Sequence, residues 1–207
     1  TYDEFWEYYN VEDRAQDISA PAMFVGGWFD IFQQGTIDAF VSREYQGGPG
    51  AEGNNYLIMK PSCHLEQTSD DYKLDENRWA LDVPEAMAAF YAHCLKGDEK
   101  ALDGFAKVHY YVLGADREGA PGNEWRTADA WPPFETVSMP LYLRKNGVLD
   151  AEPSSESGAS MEFTFDPNDP FPTHGGANLV LPAGPRDQRA VAEEREDLLR
   201  FVSEPLE

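Results

Sequence analysis

The sequence has 207 residues, of which 42% are hydrophobic and 13% aromatic, so it is not an intrinsically disordered chain and can bury a sizeable core. Its 38 acidic and 16 basic residues give a net charge of −22, which argues against binding to nucleic acid or to an anionic membrane surface because it repels phosphate groups. No apolar run approaches the roughly 20 residues of a membrane-spanning helix, and we therefore expect no such helix in this chain.

The first half of the chain alternates between strand-like and helix-like segments. Apolar patterning predicts buried strands over 22–26 and 55–59, with helices over 31–45 and 85–95. Pro61 is expected to end the second strand. Two continuously apolar strands joined by a helix are typical of a parallel pair with a crossover connection.

Two residues with catalytic chemistry follow these strands. Asp30 comes just after the first strand and His64 just after the second. Because the carboxyl ends of parallel strands meet at one edge of a sheet, we expect the two side chains to lie near each other. A zinc site made of Asp30, Cys63 and His64 is an alternative, but the spacing matches no usual ligand pattern.

The second half has the pattern of an all-β domain. Strand-like segments at 106–113, 139–144 and 161–165 alternate with connections rich in proline and glycine. These features predict an incomplete β-sandwich or jelly roll over 104–207, preceded by an α/β domain over 1–103. Residues 186–195 are expected to form a charged helical turn or loop.

Asp30 and His64 have the order required of a catalytic acid and base in an α/β-hydrolase, where the nucleophilic serine precedes both. The sequence contains no Gly-x-Ser-x-Gly elbow, and the segment 158–162 fails at its last position. If the triad interpretation is correct, the serine lies upstream of Thr1. Lone aspartates and histidines are also common as turn and structural residues, so spacing alone leaves both interpretations open.

Several motifs stand out along the chain: Gly26-Gly27-Trp28-Phe29-Asp30-Ile31-Phe32, Gly35-Thr36, Leu95-Lys96-Gly97, Phe165-Asp166-Pro167-Asn168-Asp169-Pro170-Phe171-Pro172-Thr173, Gly184-Pro185-Arg186-Asp187-Gln188 and Phe201-Val202-Ser203-Glu204-Pro205-Leu206. They resemble motifs of the family of cocaine esterases and X-Pro dipeptidyl-peptidases, which also includes α-amino-acid ester hydrolases and glutaryl acylases. These motifs occur in the order found in the family and are spread over nearly the whole chain.

The resemblance implies that Asp30 is the acid and His64 the base of a serine hydrolase triad acting on an ester or amide. It also implies an α/β-hydrolase domain followed by a jelly roll, with this chain covering the end of the first and the start of the second. We therefore expect the 207-residue chain to be inactive alone. The expected partner is a small-molecule or short-peptide substrate, with no cofactor and no metal; a homo-oligomer is compatible with this picture.

One departure concerns the surroundings of the base. The family usually has Gly-Pro-Trp-x-His-Gly, whereas this chain has Lys60-Pro61-Ser62-Cys63-His64-Leu65. Serine in place of tryptophan opens space beside the imidazole and puts the pocket shape and the substrate in doubt.

A non-catalytic function is the alternative. A β-sandwich on a hydrolase-like scaffold could bind carbohydrate or protein through exposed aromatic side chains, for which Trp125 and Trp131 are the candidates. Interdomain packing would explain the same two tryptophans.

Overall fold

The computed structural model describes residues 2–65, 71–155 and 157–205. The helices are α1 (Glu4–Tyr9), α2 (Gln33–Gln46), α3 (Val83–Lys96) and α4 (Arg189–Ala192). The strands are β1 (Met23–Phe29), β2 (Tyr56–Cys63), β3 (Val108–Val112), β4 (Glu124–Ala128), β5 (Tyr142–Arg144) and β6 (Val148–Asp150). Within the described ranges, no helix is both long and apolar enough to cross a membrane.

A mixed four-stranded sheet forms the centre of the first part of the chain. Its strand order is β1-β2-β3-β4, with β1, β2 and β3 parallel and β4 antiparallel to β3. The predicted parallel pair with a helical crossover is confirmed, since α2 connects β1 to β2. α3 was also predicted correctly; it ends at Lys96 and is capped by Gly97, whose φ of +68° suits a residue without a Cβ.

β2 continues four residues beyond its predicted end at Met59. Pro61 does not terminate the strand, because it lies at an irregularity in the pairing with β1. Gly27 pairs with Lys60 and Phe29 with Cys63, so that β2 contains one more residue than β1 between these pairs. Such a bulge accommodates proline, which has no N–H to donate to a neighbouring strand.

β3 pairs with β2 in this sheet, although the sequence pattern assigned residues 106–113 to a separate β domain. The register places Leu57 opposite Val108 and Met59 opposite Tyr110. The predicted domain boundary after residue 103 therefore falls inside one compact unit, formed by Thr1–Phe134 and Gly175–Arg186. Strand pattern alone does not reveal which neighbour a strand pairs with, and this caused the difference.

The core of this unit lies between the sheet and α2. The buried side chains Ile37 and Phe40 of α2 pack against Leu57, Met59 and Val108. The apolar residues of α2 recur at helical spacing, and Leu57 and Met59 of β2 are two positions apart, so their side chains lie on the same face of the sheet. This packing fixes α2 over the strands that carry Asp30 and His64.

A buried polar cluster joins α2 to β2 and to the residue preceding β3. The carboxylate of Glu44 accepts hydrogen bonds from the backbone N–H (2.9 Å) and the side-chain amide (3.2 Å) of Asn55, which is fully buried. Lys107 lies 2.9 Å from the same carboxylate. Each buried polar group of the cluster thus has a partner, as buried polar groups require.

The second compact unit comprises Glu135–His174 and Asp187–Glu207. It contains the antiparallel pair β5–β6 and a single bridge between Val148 and Val202. The strand expected over 161–165 is absent from this described segment, and the helical turn expected near 186–195 is present as α4. The structure therefore confirms the mixed α/β part of the predicted fold and not the jelly roll.

His109 on β3 is expected to make the stability of the fold depend on pH. Its ring stacks on Phe105 with a centroid distance of 4.2 Å, and its Nε2 has no hydrogen-bond partner among the described residues. Burial lowers the pKa of His109 below its ordinary value of 6.5. The neutral ring is therefore favoured in the fold, while the unfolded chain takes up the proton, so that the stability contributed is complete above about pH 6.5 and falls as the pH drops below it.

We expect His109→Phe to flatten the loss of stability between pH 7 and pH 5, because phenylalanine retains the stacking and does not titrate. Thermal melts of the full-length protein across this range measure the effect. His93→Gln on α3 is the control and should retain the wild-type pH dependence. Equal slopes for wild type and His109→Phe would contradict the argument.

Candidate active site

Asp30 and His64 are brought together by the register of β1 and β2. Phe29, the last residue of β1, pairs with Cys63, the last residue of β2. The next residue on each strand is therefore Asp30 on one side and His64 on the other. The sequence prediction that these two residues lie at neighbouring strand ends is confirmed by this pairing; their catalytic roles remain a prediction.

The imidazole of His64 faces the carboxylate of Asp30 through Nδ1. The distances from Nδ1 are 3.1 Å to Oδ1 and 3.2 Å to Oδ2 of Asp30. The side chain of Asp30 is 16% exposed and that of His64 is 37% exposed, so the carboxylate is shielded and the imidazole is reachable from solvent. Nε2 lies on the opposite side of the ring from Asp30 and is the nitrogen able to exchange a proton with a reacting group.

Phe32 contacts both members of the pair. Its backbone N–H donates to Oδ1 of Asp30 at 3.0 Å, and its ring meets the imidazole of His64 edge to face at a centroid distance of 5.3 Å. The sequence showed Phe32 only as part of a motif. Its closeness to Asp30 in the chain, at the start of a predicted helix, was the available signal, since residues there commonly donate to an aspartate two positions earlier.

Gly27 permits the close approach of β1 to the bulge of β2. A Cβ atom at this position would lie 2.3 Å from the carbonyl oxygen and 2.7 Å from the hydroxyl of Ser62. Ser62 is two residues before His64, so the absence of a side chain at Gly27 helps to set how near the histidine comes to Asp30.

A cavity of about 1040 Å³ lies on one face of the sheet. Its wall includes Ser62 and Cys63 together with Leu74, Trp79 and Met87. Neither Asp30 nor His64 is in the lining described for it. The cavity is therefore adjacent to the end of β2 and is not built around the acid–base pair.

The other candidates from the sequence do not form a competing site. Cys63 is buried, and no cluster of three or more metal-ligating side chains occurs within the part of the chain that the structure describes. Trp125 donates its indole N–H to the carbonyl of Arg78 at 3.2 Å, and Trp131 packs against Trp28. Both tryptophans are partly buried in the first unit, so they do not form the exposed platform that the binding-module hypothesis requires.

Known proteins are similar to this chain in sequence. The family model of the X-Pro dipeptidyl-peptidases, family S15, matches residues 1–66, the stretch that contains both Asp30 and His64. Cocaine esterase of Rhodococcus sp. strain MB1 Bresler is 28% identical over 218 residues, which cover 99% of this chain and 36% of the esterase. The chain is thus similar to members of the cocaine esterase and X-Pro dipeptidyl-peptidase family.

Two further proteins are similar to this chain in sequence or in fold. A protein of Mycobacterium bovis assigned as a serine esterase is 27% identical over 142 residues, covering 68% of this chain and 20% of that protein. A CocE/NonD family hydrolase from Staphylococcus aureus has a similar fold, with a TM-score of 0.50, 21% identity, and coverage of 72% of this chain and 24% of its own. The chain spans about a third or less of the length of the curated relatives that it matches.

Proposed function

We propose that the protein is a serine hydrolase that transfers an acyl group from an ester or amide to water, with Asp30 and His64 as two members of its triad. The observation that carries this proposal is the contact of 3.1 Å between Nδ1 of His64 and the carboxylate of Asp30. Sequence similarity to a hydrolase family supports it independently.

The proposed mechanism assigns a role to each member of the triad. The nucleophilic serine, on a part of the protein outside this sequence, attacks the carbonyl carbon of the substrate. His64 accepts the serine proton at Nε2 and later donates it to the leaving group. Asp30 accepts a hydrogen bond from Nδ1–H, which fixes the tautomer and stabilises the imidazolium that forms. Water then attacks the carbonyl carbon of the acyl-enzyme, and His64 and Asp30 act in the same way as in the first half of the reaction.

We further propose that the second unit belongs to a jelly-roll domain. The support is the antiparallel pair β5–β6, the bridge from Val148 to Val202, and the Asp166-Pro167-Asn168-Asp169-Pro170 segment, which resembles a motif of the family.

The substrate is proposed only as a small molecule or short peptide with a scissile acyl bond, since Ser62 replaces the tryptophan usual in the family.

A fluorophosphonate probe tests the function directly. We expect one adduct on the full-length gene product, detected by intact mass and mapped to a serine outside these 207 residues. His64→Ala should abolish the adduct because the serine then lacks its base, whereas His93→Ala should leave it.

Two results would contradict the proposal. An adduct on a residue within this sequence would mean that the nucleophile is misassigned. A folded full-length protein that takes up no probe would exclude an activated serine and favour the binding-module hypothesis.

A further inference from the structure

Trp28 makes a hydrogen bond that reaches across a strand. It lies on β1, two residues before Asp30, and its indole N–H donates to the backbone carbonyl of Tyr111 on β3 at 2.7 Å. Since the strand order is β1-β2-β3, the indole passes over β2 to reach this carbonyl. Tyr111 is 1% exposed, so its carbonyl needs a partner within the protein.

The carbonyl of Tyr111 lacks its ordinary partner because of Pro61. The N–H of Leu57 donates to the carbonyl of Lys107 at 2.9 Å. Every second carbonyl of a strand points the same way, so the carbonyls of residues 109 and 111 also face β2. Continuing this register, the donor for Tyr111 would be the N–H of residue 61, and proline has none.

We propose that Trp28 is a positioning residue for Asp30. The indole N–H of Trp28 replaces the interstrand hydrogen bond that Pro61 cannot make. Pairing of β2 with β3 ends at Met59 and Tyr110, which leaves the last part of β2 free to bulge towards β1. The hydrogen bond of the indole connects β1 directly to β3 just beyond the last paired residues of β2 and β3. The bulge of β2 and this hydrogen bond both influence the contact between Asp30 and His64.

The packing of Trp28 supports this role. Its ring lies against the core cluster and against Trp131, at a centroid distance of 6.1 Å, and Trp131 in turn meets Tyr110 edge to face. The indole is therefore held from two sides. A side chain fixed in this way two residues before Asp30 restricts the direction in which the carboxylate points.

The inference rests on the proposed roles of Asp30 and His64, and its test needs a measurement that does not depend on activity. The proton on Nδ1 of His64, hydrogen-bonded to Asp30, gives a downfield NMR signal in full-length protein labelled with ¹⁵N-histidine. Loss of the signal in His64→Gln assigns it. We expect Trp28→Phe to broaden or remove this signal and to lower kcat about 10- to 100-fold with little change in KM, as for a misplaced catalytic group.

Two further variants separate positioning from general packing. Trp28→Phe combined with Pro61→Ala should recover the signal, because residue 61 then offers an N–H to Tyr111. Trp125→Phe is the matched control: it also removes a partly buried indole donor, here to Arg78, and should lower the melting temperature while leaving the His64 signal in place. If Trp28→Phe does not fold, benzothienylalanine at position 28 keeps the ring shape without the N–H.

The outcomes are distinct. An unchanged His64 signal in folded Trp28→Phe, or no recovery with Pro61→Ala, would overturn the positioning role. If the NMR signal responds as expected but the full-length protein takes up no fluorophosphonate, the positioning role stands and the proposed serine hydrolase function fails.

Discussion

Replacing His64 by alanine in the full-length protein is expected to lower kcat for ester or amide hydrolysis by at least about 10³-fold, because the proposed base that takes the serine proton is then lost. Asp30→Asn is expected to have a loss of the same order. Asparagine keeps the size of the side chain, but its amide does not hold the imidazole in the tautomer that leaves Nε2 unprotonated. Steady-state kinetics with an activated aryl ester measures both effects.

Matched controls distinguish a catalytic from a structural effect. Asp38→Asn changes a carboxylate on α2, where it accepts a hydrogen bond from Gln34, and should retain activity. His93→Ala on α3 should do the same. A decrease below tenfold for either Asp30→Asn or His64→Ala, in folded protein, would show that the pair is not catalytic.

Gly27→Ala is expected to lower activity about 10²-fold without changing any group that carries out chemistry. The added Cβ would lie 2.3 Å from the carbonyl oxygen of Ser62, which is well inside contact distance and involves backbone that cannot rotate away. The end of β2 must therefore shift, and a displacement of about 1 Å at a catalytic residue costs that much in rate. A crystal structure of the variant measures the displacement of β2, and its kcat measures the resulting loss of activity.

Gly35→Ala provides the control for this substitution. Gly35 lies in α2, and a Cβ there would meet no atom within 4 Å. Alanine is also the better helix former, so this variant should be as active as the wild type and equally or more stable. Equal activity of Gly27→Ala and Gly35→Ala would show that the close approach at Ser62 does not position His64.

The sequence was sufficient to predict the local elements that carry the site. Continuous apolar runs predicted β1 and β2, and helical periodicity predicted α2 and α3 to within two residues at each end. The rule that parallel strands end at one edge then placed Asp30 near His64. These are short-range patterns combined with one topological rule, and they suffice when the strands are continuous and apolar.

The features that the sequence did not reveal depend on contacts between distant residues. Trp28 bonds to Tyr111, which is 83 positions away, and no local pattern indicates that partner. Pro61 was expected to end a strand, but it lies in a bulge that approaches Gly27 of β1 too closely for a side chain there. The membership of β3 in the first sheet likewise depends on a register that composition does not specify.

The buried cluster around Glu44 bears on how the protein responds to salt. Most of the acidic groups that give the chain its charge of −22 lie on the surface, whereas the buried carboxylate of Glu44 is matched by Lys107 at 2.9 Å. Raising the ionic strength from 0.15 M to 1 M shortens the Debye length from roughly 8 Å to roughly 3 Å, which weakens repulsion among exposed charges more than attraction within a pair whose carboxylate is buried and whose lysine is 26% exposed. Concentrated salt thus removes a cost of folding at the surface and weakens this shielded ion pair less, so that the acidic exterior is suited to saline surroundings.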